Sequence, residues 1–128
     1  MYDQILHILR EVPWVSNSRI IELKVYGRGQ FRVKIRGDIR EGLALQIWIN
    51  HNPMRTRYSY QLIGGGKPIL RWDNAPHHPE LGENFPHHFH DQDGALSPSG
   101  LAGKPLQDVR EVLDVIESWV KQRAEGQW

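Results

Sequence analysis

Cysteine is absent from the chain. That excludes disulfide frameworks, thiolate-bound zinc and a cysteine nucleophile together, so any metal would have to be held by nitrogen and oxygen. Long apolar runs are missing as well. None approaches the length of a membrane span, and the leading MYDQILHILREV has neither a basic flank nor a small-residue cleavage site, so a cytoplasmic protein is expected. There is no large excess of charge of either sign: the net charge is +1 with histidines neutral, and the molecule as a whole is no magnet for nucleic acid. The charge that is present is sorted along the chain. Residues 24–40 carry Lys24, Arg28, Arg32, Lys34, Arg36 and Arg40 against Asp38 alone, whereas the C-terminal segment carries Asp108, Glu111, Asp114, Glu117 and Glu125. With 128 residues, 39% hydrophobic and 24% charged, the composition is that of a single domain, 1–128, long enough to bury a core.

Hydrophobic periodicity divides the chain. Over 2–12, Ile5, Leu6, Ile8, Leu9 and Val12 follow helical spacing until Pro13. The period then becomes two. Ile21, Leu23 and Val25 alternate in 20–26, and Phe31, Val33, Ile35 and Ile39 alternate with Arg32, Lys34, Arg36 and Asp38 in 31–39. A third strand reads from Leu43, Leu45, Ile47 and Ile49 after a turn at Glu41-Gly42, a fourth covers 56–63 and a fifth 68–74. Links this short permit only antiparallel neighbours. Gly64-Gly65-Gly66 is read as a hairpin turn, because it lacks the Lys-Ser/Thr ending and following helix of a phosphate-binding loop. From Pro105 to 124, Leu106, Val109, Leu113, Ile116 and Val120 restore the helical stripe. The expectation is an α+β fold: a five-stranded antiparallel meander over 20–74, with an N-terminal and a C-terminal helix packed on one face and a functional loop at 75–104.

That loop holds the chemistry. PHHPELGENFPHHFH, residues 76–90, contains five of the seven histidines, and imidazole both titrates near neutrality and ligates metals. Strand parity places Tyr58, Tyr60 and Leu62 on the core face with Leu70 and Trp72, and sends Arg57, Ser59 and Gln61 to the opposite face with Arg71 and Asp73. Arg32, Lys34 and Arg36 also point outward. Guanidinium groups hold phosphates and imidazoles move protons, which together suit phosphodiester cleavage. Two of His77, His78, His87, His88 and His90 would serve as base and acid, Arg57 or Arg71 would stabilise charge on the phosphorane, and Asp73 would orient an imidazole. Arg32, Lys34, Arg36 and Asn74 are candidate substrate contacts. Tyr58 and Tyr60 are candidate stacking partners for bases, although their parity favours the core. No cofactor or metal is assigned, because the histidine spacing matches no strong zinc pattern. A set of His88 and His90 with His77 or His78 and a carboxylate, Asp73 or Asp91, remains the alternative. A second alternative is a module that binds nucleic acid or a partner through its basic face without catalysis.

Tyr58-Ser59-Tyr60, then Arg71-Trp72-Asp73-Asn74-Ala75-Pro76-His77-His78-Pro79, then Phe85-Pro86-His87-His88-Phe89-His90, resembles the TumE family of small prokaryotic toxins from toxin–antitoxin modules. The overall length and the leading and trailing helices are similar too. The resemblance implies a toxin neutralised by a small helix-turn-helix antitoxin, and it points at Tyr58, Tyr60, Arg71, Asp73, Asn74, Pro76, His77, His78, Pro86, His87, His88 and His90. Two positions depart from the family pattern: Trp72 stands in place of tyrosine, and Phe89 where lysine is common. The combined expectation is a metal-independent endoribonuclease acting on RNA. Nothing in the sequence fixes its oligomeric state, although the apolar helix stripe would suit a homodimer.

Overall fold

Apolar residues at every second position build a sheet that turns one face to two helices. The computed structural model describes residues 1–40 and 42–124. Glu41, half of the expected turn at Glu41-Gly42, and the acidic Glu125 lie outside the described residues. Helix α1 (Tyr2–Arg10) carries Asp3 in its first turn and His7 and Arg10 in its last, charges that suit the helix dipole, and it buries Ile5, Ile8 and Leu9. It ends two residues before the predicted Val12. Strands β1 (Ser16–Gly27), β2 (Gln30–Arg40), β3 (Leu43–Asn52), β4 (Arg55–Gly64) and β5 (Lys67–Asp73) follow as an antiparallel meander. Gly65 and Gly66 both take positive φ (59° and 76°), the conformation that a two-residue hairpin loop demands at both positions.

The five-strand expectation is corrected here. The sheet has seven strands in sequence order, because the histidine loop contributes β6 (His88–His90) and β7 (Leu96–Pro98). Strand β6 pairs with β5 through Arg71↔His90, Trp72↔Phe89 and Asp73↔His88, and β7 pairs with β6 in turn. Three residues are too few to display a period, so neither strand could be recognised from hydrophobic alternation. A short 3₁₀ turn (Pro79–Leu81) lies between the two Pro-His-His clusters.

Helix α2 (Pro105–Ala124) packs against β4 and α1 and buries Val109, Val112, Leu113 and Ile116. Its Asp108 is buried, and its two carboxylate oxygens accept the N–H groups of Ala102 (2.9 Å) and Gly103 (2.8 Å), tying the end of the loop to the helix start. Between helices and sheet lie Val33, Ile35, Leu45, Ile47, Ile49, Tyr58, Tyr60, Leu62, Leu70 and Trp72. No helix among the described residues is long and apolar enough to cross a membrane.

Tyr60 is fully buried opposite Ile47, and its hydroxyl finds no hydrogen-bond partner among the described residues. Removing an unsatisfied hydroxyl costs nothing in lost bonds and relieves a desolvation penalty of about 1–3 kcal/mol. Tyr60→Phe is therefore expected to keep or raise the urea midpoint, whereas Ile47→Ala, which leaves a cavity in the same layer, should cost about 2–5 kcal/mol. A Tyr60→Phe protein that unfolds as early as Ile47→Ala would show that the hydroxyl has a partner after all.

Candidate active site

The centre is built on one buried carboxylate. Asp73 ends β5 on the outward face, two residues after Arg71 on the same strand, and the β5–β6 register sets it opposite His88. Its Oδ1 accepts the Ala75 N–H (3.0 Å) and lies 2.9 Å from His88 Nε2; its Oδ2 accepts from Arg71 Nε (2.8 Å) and lies 3.7 Å from His90 Nε2. The His88 side chain is only 3% exposed. Its Nδ1 stands 3.0 Å from the Pro86 carbonyl, which can only accept, so that nitrogen carries a proton and Nε2 is aimed at the carboxylate. His78 completes the group. Its ring centroid is 5.0 Å from that of His88 and 6.2 Å from that of His90, and its Nδ1 faces Glu80 Oε1 at 3.2 Å.

The five candidate imidazoles do not all converge: His78, His88 and His90 gather, and His77 and His87 lie outside that group. Alternation along β6 sends His88 and His90 to the outward face and Phe89 to the core, and His87, one residue earlier, also turns inward. His87 bonds the Tyr58 hydroxyl through Nδ1 (2.6 Å) and stacks on that ring. His77 is exposed, with its ring centroid 6.5 Å from that of His78, and it lines a groove beside the cluster.

That groove, about 650 Å³, runs over the outward face and is lined by Lys34, Trp48, Arg57, Arg71, Asn74 and His77 among others. Two cross-strand rows lead into the centre. One is Lys34–Trp48–Ser59–Asp73–His88 and the other Arg36–Gln46–Gln61–Arg71–His90. Arg36 bonds Gln46 and borders a neighbouring hollow of about 860 Å³, while Arg32 is paired with Glu22 at 3.7 Å, outside both. Sequence reading missed Trp48. A tryptophan between Ile47 and Ile49 on a period-two strand has to face outward, and that signal was available.

Three expected substrate contacts are corrected. Tyr58 and Tyr60 are buried in the core, and burial pushes both phenols well above their ordinary range, so neither offers a face to a base. The Asn74 side chain is occupied by β4: Oδ1 accepts the Tyr58 N–H (3.0 Å) and Nδ2 donates to the Thr56 carbonyl (2.8 Å). Arg57 is anchored by donating to the Asn74 carbonyl (2.9 Å).

Proton transfer and metal ligation are both within this geometry. His78, His88 and His90 each offer a ligand atom within 4.8 Å of the others, with Asp73 adjacent. The Pro86 carbonyl and Glu80 carboxylate behind His88 and His78 resemble the outer-shell acceptors that orient ligating imidazoles.

Desolvation lowers the pKa values of His87 and His90 below the ordinary 6.5; Asp108 opposes the shift at His87, and Asp73 opposes it at His90. Below 6.5 the unfolded chain therefore binds more protons than the folded one. Stability should be complete above that value and decline as pH falls toward the depressed folded-state values. Urea midpoints at about pH 7.5 and about pH 5 should show the loss, and His90→Gln should reduce it. A midpoint that rises on acidification would contradict these neutral, partly buried rings.

No curated protein and no solved structure matches the chain. The family model described as Toxin TumE matches residues 5–124, from α1 through the histidine-bearing strand to the end of α2. Over that span, which carries Asp73, Arg71 and all five clustered histidines, the chain belongs to the TumE toxin family.

Proposed function

We propose that the protein is the toxin of a toxin–antitoxin module and acts in the cytoplasm by cleaving RNA at the Asp73 centre, without a metal. The observation that carries this reading is the convergence of two imidazoles and the Arg71 guanidinium on one buried carboxylate, at the end of a groove lined by cations and an outward tryptophan.

Each part has a task. His90, neutral at pH 7 because desolvation disfavours its charged form, takes the proton from a ribose 2′-hydroxyl. The 2′-oxygen bonds to phosphorus, the bond to the 5′-oxygen breaks, and a 2′,3′-cyclic phosphate remains. His78, whose Nδ1 is held by Glu80, gives its proton to the departing oxygen. Arg71, fixed through Nε and with its side chain 43% exposed, presents its remaining N–H groups to the phosphorane. His88 is a positioning residue: sealed between Pro86 and Asp73, it holds the carboxylate against Arg71 and His90. A single-stranded segment lying along the Lys34–Trp48 row would stack a base on Trp48. A small helix-turn-helix antitoxin is the expected neutralising partner.

A specific observation favours a second reading, a metal-dependent phosphodiesterase. It is the spacing of the His78, His88 and His90 ligand atoms within 4.8 Å.

One set of assays separates these readings. In EDTA, wild-type protein should release cyclic-phosphate ends from single-stranded RNA, His90→Ala should lower the rate by about 10²–10⁴-fold and Arg71→Ala by about 10²–10³-fold, with melting curves preserved. Trp48→Ala should raise KM more than it lowers kcat. Cleavage that is absent in EDTA and restored by zinc or manganese selects the metal reading. RNA binding with no cleavage under either condition, unaltered by His90→Ala, reduces the protein to a binding module.

A further inference from the structure

β1 is one of the two edge strands of the sheet, the other being β7, and the residues of its second half are exposed. Leu23 and Val25 stand opposite the buried Val33 and Phe31, so their side chains emerge on the core face, yet both are exposed, Val25 by 63%. Ile21, at the bulge between Ile20 and Glu22, and Tyr26 are exposed as well. An apolar edge with unpaired backbone groups is a template for another strand.

The chemistry of this stretch reads alike in both directions from Leu23. Ile21 and Val25 are apolar, and Glu22 and Lys24 carry opposite charges. We infer that β1 pairs antiparallel with β1 of a second copy of this chain, about a twofold axis through Leu23. Residues directly opposite in an antiparallel pair share a face. Leu23 then meets Leu23 of the second copy on the core face, while Glu22 and Lys24 form two reciprocal ion pairs on the outward face. Other registers fail. A shift of one residue sets Leu23 against a charged side chain on the wrong face, and a shift of two sets Glu22 against Glu22 or Lys24 against Lys24, which is repulsive. Within its own sheet Lys24 lies opposite Arg32 and has no acidic partner among the described residues, so the second copy's Glu22, a half-exposed carboxylate that its own Arg32 approaches only to 3.7 Å, supplies what it lacks. Because both copies use the same strand, the pairing closes as a dimer and leaves neither copy's β1 free. The assembly is independent of the chemistry at Asp73.

Light scattering on the full chain at micromolar concentration tests this. Wild type should show twice the 14.9 kDa chain mass, and Glu22→Lys or Lys24→Glu should shift it to the single mass. The double exchange Glu22→Lys/Lys24→Glu should bring the dimer back, with circular dichroism reporting that every variant is folded. Since the chain has no cysteine, Leu23→Cys should give one cross-linked dimer band on oxidation, a readout that does not depend on tolerance of the charge variants. A monomeric wild type overturns the pairing and leaves β1 to a different chain. A dimer indifferent to charge reversal, one not restored by the exchange, or L23C protein that fails to cross-link overturns it too.

Discussion

A carboxylate removed from water must have its oxygens occupied, and the Asp73 side chain is only 6% exposed. Arg71 on its own strand and the Ala75 amide just beyond supply two donors. Two imidazoles close the rest of the site: His88 and His90, more than a dozen residues further along the chain, bring their Nε2 atoms to 2.9 and 3.7 Å of the two oxygens. Meeting that requirement draws the histidine segment onto the edge of β5 as a sixth strand. A stretch rich in proline, glycine and histidine thus becomes sheet, and the side chains gathered at Asp73 inherit the rigidity of a backbone ladder. Sites carried on strands hold their geometry better than sites carried on loops.

Parity explains both what the sequence revealed and what it concealed. Period two was strong enough to place Tyr58, Tyr60, Leu62, Leu70 and Trp72 on one face and Arg57, Ser59, Gln61, Arg71 and Asp73 on the other, as the structure has them. The same rule operates in β6, where it separates Phe89 from His88 and His90, but three residues among prolines give no pattern from which to infer a strand. Five imidazoles consequently read as one cluster although His87 belongs to the core side. Asn74 misled for a different reason: a polar residue beside a site is as useful for closing the backbone of β4 as for touching a ligand, and only coordinates show which. Trp48 was legible by the same parity, since flanking isoleucines on a period-two strand send it outward, and it was overlooked because an apolar residue carries no charge to mark a site.

The two positions that the sequence resemblance singles out, Trp72 and Phe89, prove to be neighbours. Trp72 and Phe89 face each other across β5 and β6, with ring centroids 4.9 Å apart, on the face turned away from Asp73. Phe89 packs against the core cluster. Its alternation with His88 and His90 means that a cation in its place would also have pointed away from the carboxylate. The aromatic pair therefore removes no charge from the face that carries Asp73, and it adds an apolar contact that presses β6 onto β5.

Beneath the sheet a second polar group braces the same strand from the other side. Tyr58 bonds His87, Asn84 donates to the carbonyls of Ser99 (2.6 Å) and Leu101 (3.0 Å), and Asp108 holds the two amides that precede α2. These bonds fix both ends of the segment that carries β6 and β7. Adjacent histidines thereby receive opposite duties, His87 locking the strand to the core and His88 presenting a nitrogen to Asp73. A Pro-His-His cluster looks redundant in sequence, but on an extended backbone its two rings must part to opposite faces. The pairing of an imidazole bonded to the core with one turned to Asp73 is what lets a thirty-residue connection behave as part of the sheet.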